Sequence, residues 1–435
     1  MSFSYISRYK VFRRILFALT TLGIIVMTAA CSTTPAPFQK EDFAYVGTVK
    51  IDSSESVASL EKMYGGKVIL HKPEAGLAIM GFSQAEGELT TLTTEENVEL
   101  ASPEMHASGT SSWASGVSSW ANGNSSWASG YASWANGWST WSSGMGAPSL
   151  PDASKAVFDL VGVSQALEAA NHYGAGVTVA VIDTGFDLSH PLLVNSLAPA
   201  STWKDFIDGD NLPQDTQSLS GNNKMYGHGT AVGGIIAQIA PQAKLMPIRV
   251  LNASGGGDLS DVVQAVDWAI THGANVINLS LGTDYDLNTL RTLIDYATTQ
   301  QVHLVMATGN AGKHGVDFPA KYATTATNED FVLSVGSIDS SKRRSSFSNY
   351  DLDVEFLAPG EGVVSAYPGA MLAAFSGTSF STPIVSGLVA LGLGESGIHE
   401  METALETTSG AVVGGNSEDG FGIPNALQFL NALSN

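Results

Sequence analysis

The sequence predicts a large α/β domain of three layers with a mostly parallel sheet, preceded by a small α+β domain. Two observations predict the large domain: apolar segments recur from about Pro151 onward, and segments with helical spacing separate them. Near-continuous apolar strands that alternate with helices are typical of a parallel sheet covered on both faces. Short strands and a helical stretch in residues 40–104 predict the small domain.

The large domain is expected to span residues 151–435. Its strands are predicted at Val177–Ile182, Lys244–Leu251, Val276–Leu279 and His303–Ala307. Its helices are predicted at Ala231–Gln238, Leu259–His272, Thr289–Thr299 and Ile384–Gly392. In a sheet of this kind, functional side chains gather at the carboxyl ends of the strands.

The small domain has the pattern of a split unit. Its strands are predicted at Tyr45–Ile51, Lys67–His71, Gly76–Phe82 and Val98–Ala101. A helix is predicted over Ser56–Tyr64, where two glycines end it, and a second helical stretch precedes the last strand. The order β-α-β-β-α-β is that of a ferredoxin-like fold.

Residues 1–30 have the pattern of an export signal. Four basic residues come first: Arg8, Lys10, Arg13 and Arg14. An uncharged, mainly apolar run from Ile15 to Ala30 follows and ends in small residues. This run is too short to cross a bilayer comfortably, whereas its charge and its small final residues are those of secretory signals. The protein is therefore expected to be exported.

The only cysteine of the chain, Cys31, directly follows this signal. The segment Thr28-Ala-Ala-Cys31 resembles a bacterial lipoprotein signal, which implies that Cys31 is lipidated and holds the protein at the membrane of the cell envelope. The alternative is an ordinary signal cleaved near Cys31, which leaves a free thiol on a secreted protein. A single cysteine excludes a disulfide bond within the chain.

Residues 105–150 form a linker with a repeat of seven residues. Five tryptophans lie seven residues apart among Ser, Ala and Gly: Trp113, Trp120, Trp127, Trp134 and Trp141. A coiled coil needs two apolar positions per heptad and good helix formers, which this repeat lacks. Three interpretations stay open: a flexible linker, an aromatic platform for glycan or cell wall, and a strip that packs on neighbouring domains.

The charge of the chain argues against some partners. The formal net charge is −21, and it becomes −25 when the basic signal is removed. A surface with this much negative charge repels phosphate groups. We therefore expect no nucleic-acid partner. The sequence also lacks the His and Cys clusters that indicate zinc sites.

Four polar residues lie in contexts that favour catalysis. Asp183 directly follows an apolar strand, and His228 lies between two glycines. Ser379 precedes a helix of small residues, where backbone N–H groups can stabilise an anion. Asn310 follows another apolar strand and can donate a hydrogen bond. A serine hydroxyl is a poor nucleophile unless a base removes its proton, and a histidine can do so.

The motifs around these residues resemble those of the subtilisin family of serine endopeptidases. They are Val181-Ile-Asp-Thr-Gly185, Gly227-His-Gly-Thr230 and Gly377-Thr-Ser-Phe-Ser-Thr-Pro383, in that order. The resemblance covers roughly residues 161–433 and implies a subtilisin-like domain. It implies that Asp183, His228 and Ser379 form a catalytic triad that works through an acyl-enzyme, and that Asn310 stabilises the oxyanion.

The resemblance also implies where protein or peptide substrates bind. Nine residues are expected to line the groove and the first specificity pocket: Gly255, Gly256, Gly257, Ser280, Leu281, Gly282, Ala307, Thr308 and Gly309. The first two triplets resemble segments that pair with an extended substrate as added strands. The last triplet would line the first pocket, and its small uncharged side chains suggest apolar substrates.

Two further implications concern a metal and the small domain. The loop that carries the strong calcium site of the family has no counterpart between Gln238 and Leu245, so no cofactor is expected, while weak calcium binding stays open. The domain at residues 40–104 resembles the inhibitory propeptide of the family, which implies that it assists folding and blocks the site until it is cleaved. A small accessory domain is the alternative.

A rival function for the whole chain is binding or adhesion, in which an inactive protease fold presents the tryptophan repeat. The complete set of triad and oxyanion residues argues against this rival. A processing protease dedicated to one surface partner is a third hypothesis, and the sequence is equally compatible with a general scavenger.

Overall fold

The computed structural model describes residues 43–83, 93–96, 99–101, 152–219, 223–327, 329–397 and 401–434. The predicted signal, Cys31 and the tryptophan repeat lie outside these residues. The strands are β1 Tyr45–Lys50, β2 Lys67–Lys72, β3 Leu77–Phe82, β4 Thr93–Glu96, β5 Glu99–Ala101, β6 Thr178–Asp183, β7 Lys204–Asp205, β8 Lys244–Arg249, β9 Gly256–Asp258, β10 Val276–Leu279, β11 His303–Ala307, β12 Val332–Ile338, β13 Phe356–Pro359, β14 Val363–Tyr367 and β15 Met371–Phe375. The helices are α1 Val57–Tyr64, α2 Asp152–Phe158, α3 Val163–Ala169, α4 His228–Ile239, α5 Leu259–Thr271, α6 Asn288–Thr299, α7 Thr378–Ser396, α8 Met401–Thr408 and α9 Ala426–Leu433.

The large domain is built on a parallel sheet of seven strands in the order β13-β12-β11-β10-β6-β8-β7. Each neighbouring pair is parallel. All residues of β10, β11, β12 and β13 are buried, as the near-continuous apolar runs in the sequence predict. The predicted three-layer α/β architecture is confirmed.

Two groups of helices cover this sheet. Helices α4 and α7 pack against each other and against the sheet, and they are buried along almost their whole length. Helices α5 and α6 also pack against each other and contact strands of the sheet, and each has one buried face. Since the central strands are buried on both sides, the sheet lies between these two layers.

The small domain is a four-stranded sheet in the order β2-β3-β1-β4, with antiparallel neighbours throughout. This is the order of the predicted split unit. Helix α1 covers it with Leu60, which is fully buried, and ends at Gly65, whose φ of 74° suits a residue without Cβ. The contacts of α5 with β2 and of α6 with β1 hold the small domain against the large one.

For the small domain, the predicted last strand is wrong and the predicted second helix stays untested. The last predicted strand, Val98–Ala101, does not complete the small sheet; its residues form β5, which pairs with β9 of the large domain. The fourth position of the small sheet is taken by β4, which the sequence did not predict. The predicted second helix falls largely on residues 84–92, which lie outside the described part of the chain.

Within the described residues, no helix combines the length and the apolar character needed to cross a membrane.

Candidate active site

Asp183 and His228 form a buried pair at the carboxyl end of β6, a strand inside the parallel sheet. Asp183 is the last residue of β6, and His228 is the first residue of α4. The Nδ1 atom of His228 lies 2.8 Å from Oδ1 of Asp183, and neither side chain is exposed. When Nδ1 donates its hydrogen to this carboxylate, Nε2 is left as the basic nitrogen of the ring. The pair can therefore act as an oriented base.

Glycines allow the turn after β6 and the start of α4 to meet. Gly185 has a φ of +92°, which favours glycine, and a Cβ there would lie 2.7 Å from the carbonyl oxygen of Pro213. A Cβ on Gly229 would overlap the carbonyl oxygen of Gly185 and touch Asp183. The glycines of both motifs are thus needed for the close approach of Asp183 to His228.

A second carboxyl group, which was not among the predicted site residues, lies beside this pair. Asp215 is buried, and its Oδ2 atom accepts hydrogen bonds from the Gly227 N–H (2.9 Å), the Thr230 hydroxyl (3.0 Å) and the Thr184 hydroxyl (3.4 Å). Burial raises the pKa of Asp215 well above its usual range, and the charge of Asp183 raises it further. Asp215 therefore joins the turn after β6 to the start of α4.

Ser379 is the second residue of α7, at a helix N-terminus where backbone N–H groups have no intrahelical acceptor. Pro383, four residues later, lacks the N–H that would normally bond the carbonyl oxygen of Ser379. The hydroxyl of Ser280 supplies the missing donor at 2.8 Å, and Asn278 in turn donates to Ser280. The first turn of α7 is therefore fixed by the end of β10.

The serine lies next to the histidine in space. The ring of His228 packs against Phe380, the residue after Ser379, with 5.2 Å between the ring centroids. The helices that begin at these two motifs also pack against each other. Ser379 is fully buried, so the site is covered in this form of the chain. The structure thus joins Asp183 to His228 and places His228 against the residue that follows Ser379, while the Ser379 hydroxyl lies 3.5 Å from the carbonyl oxygen of Ser280.

Asn310 lies at the start of the same helix. Its Oδ1 atom accepts hydrogen bonds from the N–H (2.8 Å) and the hydroxyl (2.9 Å) of Thr378. Because both partners are donors there, the amide orientation is determined, and the NH₂ group points the other way, to within 3.1 Å of the position that a Cβ on Gly377 would take. The amide can therefore donate next to Ser379.

The first predicted substrate segment is occupied by the chain itself. Strand β5 pairs with β9 in antiparallel register, with Leu100 opposite Gly257 and Ala101 opposite Gly256. Leu100 is fully buried. Gly257 has no room for a side chain, since a Cβ would overlap the carbonyl oxygen of Val250. An extended peptide can therefore lie on this edge as an added strand.

The other predicted substrate residues lie at the ends of two neighbouring strands. Ser280, Leu281 and Gly282 follow β10, and no pairing between them and β5 occurs in the described residues. Ala307 ends β11, and Thr308 and Gly309 follow it, with Gly309 at a φ of +101°. A charged side chain that was not among the predicted site residues, Asp317, lies against Gly309.

Comparison with known proteins agrees with this geometry. The family model described as "Subtilase family" matches residues 174–422. The chain belongs to the subtilase family. The matched range contains Asp183, His228, Asn310 and Ser379, so the residues brought together above lie in the subtilase domain.

The relatives of this subtilase include named proteases. Subtilisin Savinase of Lederbergia lenta is 39% identical over 243 residues, which cover 53% of this chain and 82% of the relative. M-protease of Shouchella clausii (strain KSM-K16) is also 39% identical over 243 residues, but the match covers only 58% of its length. These similarities support the assignment of the subtilase domain as a serine endopeptidase.

A solved structure described as a lanthipeptide protease has the same fold. Its TM-score is 0.56 at 26% sequence identity, and the alignment covers 64% of this chain and 94% of that one.

Two residues of the site were out of reach of sequence reasoning. Asp215 lies 13 residues before His228 in a loop without periodicity, and only the fold shows which donors surround it. Asp317 is visible as an acid before Phe318-Pro319, yet its place beside Gly309 depends on the packing of two loops. For Asp317, the signal available in the sequence was an acidic residue within a segment of apolar or small residues.

Proposed function

We propose that the chain hydrolyses internal peptide bonds of proteins through an acyl-enzyme on Ser379. The observation that carries the proposal is the buried contact of 2.8 Å between His228 and Asp183 beside the N-terminus of the serine helix. Ser379 Oγ attacks the substrate carbonyl carbon while His228 takes the hydroxyl proton. His228 then protonates the leaving amine, and water releases the acyl group by the same route.

The oxyanion of the tetrahedral intermediate forms next to two donors. These are the backbone N–H of Ser379, at the helix N-terminus, and the amide NH₂ of Asn310. The anchoring of Asn310 by Thr378 means that the amide does not have to reorient during the reaction. The residues in this scheme need no cofactor, and insensitivity of the activity to a chelator stays a prediction.

The domain at residues 40–104 is proposed to be an inhibitory propeptide. Its strand β5 lies on the edge where substrate would bind, with Leu100 buried against the large domain. A substrate peptide and β5 would compete for the same backbone groups of β9. Pairing of this kind supports inhibition better than an accessory role, because an accessory domain has no need of the groove.

An ion pair holds the small domain in place. Lys72 Nζ lies 2.7 Å from Asp267 Oδ1, with the ammonium 5.7 Å from the ring centroid of Tyr296. Burial lowers the pKa of Lys72, but the hydrogen bond and the charge of Asp267 outweigh this, so its pKa is raised. The pair is mostly shielded from water, so removal of one partner alone leaves the other charge uncompensated in the docked state.

The chain is further proposed to be exported, to be held at the bacterial cell envelope through lipidated Cys31, and to process itself. Because Cys31 lies before the proposed cut, self-processing would release the mature domain, and the protein would also be secreted where the anchor is missing. The pattern of residues 1–31 supports export and lipidation. The pairing of β5 with β9, on the edge where a substrate would bind, supports self-processing.

Intact mass and N-terminal analysis of the wild type beside Ser379→Ala tests these proposals together. The wild type should lose residues 40–104, whereas Ser379→Ala should keep them. Ser379→Ala should also carry acyl chains that the double variant Cys31→Ser/Ser379→Ala lacks. The same uncleaved N-terminus in wild type and Ser379→Ala would contradict self-processing. Equal masses of Ser379→Ala and the double variant, apart from the Cys31→Ser substitution, would contradict lipidation.

A further inference from the structure

Three loop segments meet beside the residues that are predicted to line the first specificity pocket. The N–H of Asp317 donates to the carbonyl oxygen of Thr308 at 3.0 Å, next to the wall that ends at Gly309. Phe318 and Thr283 exchange two backbone hydrogen bonds of 2.8 and 2.9 Å, next to the wall that ends at Gly282. Asp317 therefore lies between the two walls that the sequence analysis assigned to the substrate.

The side chain of Asp317 points between these walls. A Cβ on Gly309 would overlap Oδ2 of Asp317, and a Cβ on Gly282 would lie 3.4 Å from the Cβ of Asp317. Both glycines thus leave space that the carboxylate borders. About a sixth of the Asp317 side chain is exposed (17%), so solvent or a substrate group can reach it.

The charges around Asp317 leave an excess of negative charge. Lys313 Nζ lies 3.2 Å from Oδ1 of Asp317 and also pairs with Asp284 on the opposite wall. One ammonium thus serves two carboxylates. Asn349 donates a further hydrogen bond to Asp317 Oδ1 at 3.1 Å. Burial raises the pKa of Asp317, and Lys313 lowers it in part, so pairing with a cation favours the ionised form.

We propose that the first specificity pocket takes a Lys or Arg side chain, with Asp317 as its counter-charge. This inference rests on the proposed endopeptidase function. In the substrate-free pocket Lys313 partly neutralises Asp317, and a substrate cation replaces it or shares the carboxylate. A partly buried carboxylate gains charge-assisted hydrogen bonds from a cation, whereas an apolar side chain would take water away from it and add no partner to Lys313 and Asn349. The apolar preference suggested by the pocket walls alone is thereby replaced.

The preference has a consequence for processing. No Lys or Arg lies between residues 73 and 154, so a cut within the linker at residues 105–150 would place an uncharged side chain in the pocket. Cleavage within the same molecule can occur even with an uncharged side chain in the pocket, because the linked segment is present at high effective concentration. A cut in a second molecule does not have that advantage. Processed enzyme should therefore spare the linker of full-length Ser379→Ala while it cleaves basic peptides.

The test is a set of peptides that differ only in the residue before the scissile bond, which is Arg, Lys, Leu or Glu. The wild type should cleave the Arg and Lys peptides with kcat/KM at least tenfold above that for Leu. Asp317→Asn should lower the Arg-to-Leu ratio of kcat/KM at least tenfold. Lys313→Met should raise it, and Asp210→Asn, at an exposed position away from the pocket, should leave it unchanged.

A wild type that prefers Leu, together with an unaltered ratio in Asp317→Asn, would overturn the inference while leaving the endopeptidase function intact. Failure of the proposed function looks different: no peptide of the set is cleaved, and the protein does not react with a serine-directed probe.

Discussion

The carboxylate of Asp215 accepts a hydrogen bond of 2.9 Å from the backbone N–H of Gly227, the residue before His228. The same oxygen accepts from the hydroxyl of Thr184, the residue after Asp183. One buried side chain therefore spans the two segments that carry the acid and the base of the triad. Its role is to position these residues, since its hydrogen bonds go to their neighbours.

Asp215→Asn should retain most of the activity, because an amide oxygen can accept the same hydrogen bonds. Asp215→Ala should lose about 10- to 100-fold in kcat, since a buried network that loses its acceptor leaves several donors unpaired. Steady-state kinetics of both processed variants measure this.

The two variants together distinguish lost hydrogen bonds from lost charge. Asp215→Asn keeps an acceptor at the same position, whereas Asp215→Ala removes it. A loss of kcat in Asp215→Asn as large as that in Asp215→Ala would contradict a positioning role through these hydrogen bonds.

Asn310→Ala should lower kcat by about 10²–10³ with little change in KM, as loss of the corresponding donor does in subtilisin itself. The reason is that the amide binds the oxyanion and not the ground-state carbonyl. Asn195→Ala, at an exposed position, is the matched control. Turnover of Asn310→Ala within tenfold of the wild type would remove Asn310 from the oxyanion site.

Much of this site is local in sequence and was therefore predictable. Asp183 ends a strand, His228 begins a helix and Ser379 lies in the first turn of another, and the flanking glycines that permit these positions adjoin them. Strand periodicity likewise predicted the parallel sheet, since its strands are buried on both faces.

The remainder depends on contacts between segments far apart in the chain. The pairing of Leu100 with Gly257 crosses more than 150 residues, and no local pattern distinguishes it from pairing within the small domain. The environments of Asp215 and Asp317 come from loops whose packing is fixed by the whole fold. Propensity and spacing carry no information about such contacts.

Lys72→Met should weaken the docking of the small domain. The ion pair with Asp267 is mostly shielded from water, so its loss should cost at least about 1 kcal/mol, or roughly fivefold in occupancy. We expect the lag before freshly folded protein becomes active to shorten several-fold. Lys67→Met, which removes an exposed lysine 3.9 Å from Glu61, should keep the wild-type lag. Equal lags in the two variants would contradict a docking role for Lys72.

The stability of the large domain should fall as the pH rises through the range in which Glu402 titrates. Burial and the charges of Asp330 and Glu329 raise the pKa of Glu402 on α8 to about 7, from a usual value of 4.5. The unfolded chain then ionises at lower pH than the folded chain. The free energy of unfolding should thus decrease between about pH 4.5 and 7, by up to about 3 kcal/mol from this group.

Glu402→Gln removes this group, so its unfolding free energy should vary less with pH than that of the wild type. Urea unfolding at pH 5 and pH 8 measures the difference. An identical decrease in both proteins would show that Glu402 does not contribute.

The central claim, that Ser379 is a nucleophile activated by the His228–Asp183 pair, is tested most directly with a serine-directed fluorophosphonate. Processed wild type should be labelled once, at Ser379, and should lose its peptide hydrolysis in step with labelling. Because Ser379→Ala cannot process itself, its small domain has to be removed with an added protease before it serves as the control. That control should neither be labelled nor hydrolyse peptide. A folded and processed wild type that is not labelled, or a Ser379→Ala variant with equal turnover, would contradict the account.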